Sequence, residues 1–239
     1  MLIVTFALCH IVRSIARPFL KGNAAKIFGE FMAIFQLSCC LQELALTDHQ
    51  FSVNVRMLRL FSTLLATTYV FDGYTGNVGW ISEILVVHRR VLLYLALLVA
   101  QLLGGFTAYH VTPYYFPQHY FQVLDQDRSC QSPDPIHRLY IEFIGTLLLF
   151  LLDWYTRRYK ELNRYSQLVY LIMITYLYYG SIDVYLNPIS ARTMTLQCSS
   201  DNLTQHLLIY WAAPIAAIIL SLAIIRLISG TFDIKVKED

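Results

Sequence analysis

Six predominantly apolar stretches, each about 20 residues long, dominate the chain: 27–46, 57–74, 91–111, 139–156, 167–186 and 206–228. A helix needs roughly 20 apolar residues to cross a hydrocarbon core of about 30 Å. Only 14% of the 239 residues are charged and mean hydropathy is +0.50, so a water-soluble surface could not be covered. The pattern predicts an all-α integral membrane protein with six spans. Residues 2–12 (LIVTFALCHIV) form a further short run, expected to be an interfacial helix or a short anchor. No basic residue precedes it and no small-x-small site follows, which argues against a signal peptide.

Charge sets the orientation. With the start of the first span in the cytosol, the cytosolic segments hold Arg13, Arg17, Lys21, Lys26, Arg89, Arg90, Arg157, Arg158, Lys160, Arg164, Arg226, Lys235 and Lys237, thirteen of the 18 Lys and Arg. Arg56, Arg59, Arg128, Arg138 and Arg192 fall on the other side. The opposite arrangement would break the positive-inside rule. The formal charge of +2 and the lack of any basic tract interleaved with aromatics exclude nucleic acid as a partner.

The two halves echo each other. Glu30-Phe31 opens the first span, and Glu142-Phe143 opens the fourth. Asn77 and Asn187 recur at nearly the same offset, and each opens an apolar stretch too short to cross, 77–87 and 187–198. Each half therefore reads span, span, short helix, span. Three spans per half make the second half enter from the opposite face. Inverted repeats of this kind bring discontinuous helices together at the midplane. The expected domain runs from 27 to 228, with halves 27–111 and 139–228, an N-terminal segment 1–26 and a cytosolic tail 229–239.

Asn187-Pro188-Ile189 is the most informative triplet. Asn is a favoured N-cap, and Pro suits the first helical position because its missing N–H costs nothing there. A helix starting at the midplane would aim its positive dipole end at the membrane centre. Irregular backbone at that depth is tolerated only where it is packed in protein or lines a wet cavity. The same triplet also starts ordinary helices, and it is the matching Asn77 that favours the midplane reading.

NPISARTMTLQC followed by IYWAAPIAAIILSLAI resembles the second pore signature and sixth helix of the aquaporin (major intrinsic protein) family, and AQLLGG at 100–105 resembles its third-helix motif. EFMAIFQLSCCLQEL at 30–44, FDG at 71–73 and Cys198, eleven residues beyond Asn187, are similar to the divergent superaquaporin group. The resemblance covers residues 27–228. It implies six spans and two re-entrant half-helices, a homotetramer, and a pore centre made of Asn77, Val78 and Gly79 with Asn187, Pro188 and Ile189. Glu30 and Glu142 would brace the re-entrant loops, and Asp72 would fix a turn. Paired acids could also form a proton relay, but the family's pattern favours bracing. Two departures stand out. The first box, usually Asn-Pro-Ala, is Asn77-Val78-Gly79, and in the second Ile189 replaces Ala. The family's filter arginine is replaced by Ser190, and Arg192 lies about 200° around the helix from it. Family spacing places the other filter positions at Met57, Thr175 and Val184. Such a filter carries no fixed cation and should discriminate less between water and small neutral solutes.

The seven His show no HExxH or i, i+4 pairing, and the five Cys no CxxC spacing, so neither a metal nor another cofactor is expected. No nucleophile–base constellation suggests an enzyme. A Cys130–Cys198 disulfide stays open, and the Asn202-Leu203-Thr204 sequon is expected to be unmodified. Lys235 and Lys237 stand at −5 and −3 from the last residue, the dilysine pattern read by retrieval coats on endoplasmic reticulum proteins. The expectation is a passive channel for water, glycerol or hydrogen peroxide in the endoplasmic reticulum or another internal membrane. The alternatives are a non-conducting scaffold of the same fold and residence in the plasma membrane.

Overall fold

A computed structural model describes residues 2–48, 51–71, 73–86, 89–115, 134–178, 184–195 and 203–229. Within them the regular structure is helical, joined by turns and short irregular segments. Helix α1 spans Leu2–Ala16, α2 Gly22–Asp48, α3 Val53–Val70, α4 Val78–Val86 and α5 Val91–Val111, the last running into a 3-10 turn, Thr112–Tyr114. After the long loop come α6 (Pro135–Thr156), α7 (Lys160–Leu177), α8 (Pro188–Thr195), α9 (Leu203–Leu207) and α10 (Ala213–Ser229).

Local chemistry accounts for several boundaries. Asp134 caps α6 by accepting from the Ile136 N–H at 3.1 Å, and Pro135 follows at the first helical position. A π-helical turn, Leu208–Ala212, joins α9 to α10, and Ala213 N–H donates to Leu208 O across it. Pro214 explains the turn. It has no N–H for the Tyr210 carbonyl, and one wider turn absorbs the missing bond.

Four described helical stretches are long and apolar enough to cross a membrane: Gly22–Thr47, Val91–Tyr114, Pro135–Thr156 and Leu203–Ile228. The other two expected spans are shorter and more polar. α3 ends at Val70 and carries Arg56 and Arg59, and α7 ends at Leu177 and opens on Lys160-Glu161. Apolar side chains nevertheless face outward around the bundle, among them Leu92, Val99 and Phe106 on α5, Val169 and Met173 on α7, and Ile219 on α10. Water would not tolerate so continuous an apolar surface, but lipid does. The molecule is a multi-pass integral membrane protein.

Packing follows the repeat. α2 lies along α5 in one half, and α6 along α10 in the other, while α3 meets α7 across the middle. The α2–α5 approach is close because Gly104 has no side chain. A Cβ there would sit 2.5 Å from the Phe31 carbonyl oxygen and from Ile34 Cγ2. α1 docks antiparallel on α2: the Leu2 N–H donates to Glu43 Oε1 at 2.8 Å, and Arg13 donates to the Met32 and Val70 carbonyls. The short N-terminal run is thus a packed helix with Cys9 buried against its neighbours.

Candidate functional site: the paired asparagines

The two short helices meet at their N-termini. Asn77 Oδ1 accepts from the Gly79 N–H at 2.8 Å, and Asn187 Oδ1 accepts from the Ile189 N–H at 3.2 Å, so each asparagine caps its own helix. The amide nitrogens cross over. Asn187 Nδ2 donates to Gly76 O at 2.8 Å, and Asn77 Nδ2 donates to Leu186 O at 3.2 Å. Each asparagine therefore bonds the carbonyl just before the other. An Asn amide has two N–H donors. Among the described residues the second donor of each meets no acceptor.

The carbonyls are aimed by unusual backbone. Gly76 has φ +58° and Leu186 φ +51°, both left-handed. The two repeats solve this differently. Gly76 needs no Cβ, and one would stand 3.2 Å from Ala33 C and Ile34 N on α2. In the second half the turn carries Leu186, and the glycine moves to the facing helix: a Cβ on Gly145 would meet Leu186 Cδ2 at 2.7 Å. Gly145 follows Glu142 by the same step as Ala33 follows Glu30, so the two are repeat equivalents.

Those glutamates hold the turns. Glu30 accepts from the Thr75 and Gly76 N–H groups at 3.0 and 2.9 Å, from the Thr75 hydroxyl, and from Gln101 Nε2 at 2.7 Å. Glu142 accepts from the Tyr185 and Leu186 N–H groups at 2.8 and 2.9 Å. Both carboxylates are buried. Their oxygens are occupied by backbone donors, an arrangement suited to fixing a turn. Gln101 lies inside the AQLLGG stretch, but the motif reading gives it no role as a partner of Glu30, although a glutamine inside an apolar run is the kind of signal that points to one.

Val78 and Ile189 pack together with Ile34 in one apolar cluster. The bulk of Ile189 is taken up by Gly105, where a Cβ would stand 2.5 Å from Ile189 Cγ2. Pro188 begins α8 and is buried. The expected filter residues are more dispersed. Met57 is half-buried on α3, and the Thr175 hydroxyl donates to Leu171 O at 2.8 Å on its own helix. Val184 packs against Leu149, Ile174 and Leu186. Ser190 is buried, and its hydroxyl meets no partner among the described residues. No hydrogen bond or apolar cluster joins these four to one another among the described residues. Asp72, Cys130, Cys198, Lys235 and Lys237 lie outside the described residues.

Two aromatic residues complete the surroundings. Trp80 stacks on Phe150 with ring centroids 4.3 Å apart. A Cβ on Gly79 would meet Phe150 ring carbons at 2.6 and 2.8 Å.

No family model and no solved structure matches the chain. Among characterised proteins it is similar to aquaporin-11 of Homo sapiens, 26% identical over 225 residues that cover 89% of this chain and 82% of that protein.

Proposed function

We propose that the chain is an aquaporin-type passive channel for water and small neutral solutes such as glycerol or hydrogen peroxide. In this reading α2, α3, α5, α6, α7 and the α9–α10 unit are six spans, and α4 and α8 are half-helices entering from opposite faces. The crossed asparagine amides carry the proposal. Two N–H donors left over at the meeting point of two helix N-termini can hold the oxygen of a permeating molecule. The two positive dipole ends oppose a cation at the same point. Ser38, Gln42 and Ser190 each keep a buried polar atom without a protein partner among the described residues. Buried polar groups are almost always satisfied, so these atoms suit a wetted interior. The likeness to aquaporin-11 supports a channel rather than an enzyme.

Met57, Thr175, Val184 and Ser190 would line the outer mouth, a homotetramer would carry one pore per subunit, and Lys235 and Lys237 would return the protein to the endoplasmic reticulum through retrieval coats. The Trp80–Phe150 stack favours a second reading, a non-conducting scaffold, because two rings beside Asn77 could plug the path. Flux into proteoliposomes separates the two. Ser190→Arg should lower glycerol flux more than water flux, and Asn187→Ala should lower both. If neither variant changes either flux, the scaffold reading takes precedence.

A further inference from the structure

We infer that the Trp80–Phe150 stack is a size-determining constriction on the α4 side of the asparagine pair, and that Gly79 is present to make room for it. The inference rests on the channel reading above, and three observations carry it.

The first is position. Trp80 lies three residues past Asn77, as Ser190 lies three past Asn187, so the repeat makes the two positions equivalent. One half places an indole there and the other a small hydroxyl. Three residues advance a helix by about 4.5 Å, so the indole stands nearly one turn from the meeting point of the half-helices.

The second is the room made for Phe150. A Cβ at residue 79 would lie 2.6 Å from the ring and 3.2 Å from Asn77 Oδ1. The same small space thus borders both the Phe150 ring and the Asn77 amide. Even an alanine methyl at 79 would force the ring aside. The glycine that weakens the first half-helix is thus explained by a side chain from α6.

The third is rigidity. The rings overlap at 4.3 Å with planes 27° apart, Phe150 is buried, and Trp80 packs on the Leu149–Ile174–Leu186 cluster. Aromatic pairs in offset contact hold their geometry. Selection by size then falls to the α4 side, which carries the indole, because the equivalent position on the α8 side carries only the small hydroxyl of Ser190.

The test compares water, glycerol and hydrogen peroxide fluxes in proteoliposomes of the full chain, wild type against Phe150→Ala, Phe150→Leu, Trp80→Ala and Gly79→Ala. Removing either ring should raise the glycerol-to-water ratio about tenfold, a barrier change of ~1.4 kcal/mol for the larger permeant. Phe150→Leu should fall between, and Gly79→Ala should lower all fluxes until combined with Phe150→Ala, which restores them. A conducting wild type whose ratio is unchanged in folded Phe150→Ala and Trp80→Ala overturns the constriction and leaves the channel reading standing. No flux in the wild type or any folded variant overturns the channel reading and the constriction with it.

Discussion

Replacing Asn187 by alanine removes two bonds of different kinds. The cap to the Ile189 N–H at 3.2 Å is worth about 1 kcal/mol. The bond to Gly76 O at 2.8 Å leaves a buried carbonyl without its donor, at a cost of about 1–3 kcal/mol. Together they predict a loss of ~2–4 kcal/mol, or roughly 5–15 °C in the unfolding midpoint of a chain this size. Asn77→Ala should cost less, because Asn77 is only half-buried and its crossed bond is longer, 3.2 Å. Asn187→Ser separates the two contributions. A serine hydroxyl can cap the helix but is too short to reach Gly76 O, so stability should recover by about 1 kcal/mol while flux stays low. Thermal unfolding in detergent followed by circular dichroism, with flux measured on the same preparations, checks both. A midpoint within about 2 °C of wild type for Asn187→Ala, or full flux in Asn187→Ser, would refute the reasoning.

Glu142→Gln should destabilise by about 1–3 kcal/mol, because an amide NH2 would face the Tyr185 or Leu186 N–H; thermal unfolding measures it. Gly105→Ala should cost ~1–3 kcal/mol by pushing on Ile189, and less in an Ile189→Ala background, so a double-mutant cycle on unfolding should give a coupling above about 0.5 kcal/mol. Serine at both Lys235 and Lys237 should move the protein out of the endoplasmic reticulum, read by fluorescence localisation; retention at unchanged levels would remove the retrieval proposal.

The parts of this fold legible in the sequence are those written in local chemistry. Asn187-Pro188 starts a helix where the cap and the fixed proline φ require one, and the repeat spacing points to Asn77 as its counterpart. Helix boundaries are less legible. α3 and α7 start before the apolar runs 57–74 and 167–186, taking charged residues into their first turns, and they stop sooner, at Val70 and Leu177. Tertiary trades are not legible at all. Leu186 in a left-handed turn breaks a local rule, at about 1–2 kcal/mol, and only the facing Gly145 shows how its side chain is housed. Gly79 reads as a weak helix start along the chain, yet Phe150, from the other half of the repeat, occupies the space its side chain would take. The filter positions are counted along divergent loops, and contacts such as Val184 in an apolar cluster follow from packing that no count along the chain conveys.

The central claim is that the crossed asparagines sit in a conducting path. Stopped-flow light scattering on proteoliposomes of the purified chain tests it most directly, comparing wild type, the Asn77→Ala/Asn187→Ala double variant and protein-free liposomes at matched incorporation. The account predicts water permeability well above the protein-free level for wild type, with weak temperature dependence, and a return toward that level in the double variant. Wild-type permeability equal to that of protein-free liposomes, or undiminished in a folded double variant, would contradict it.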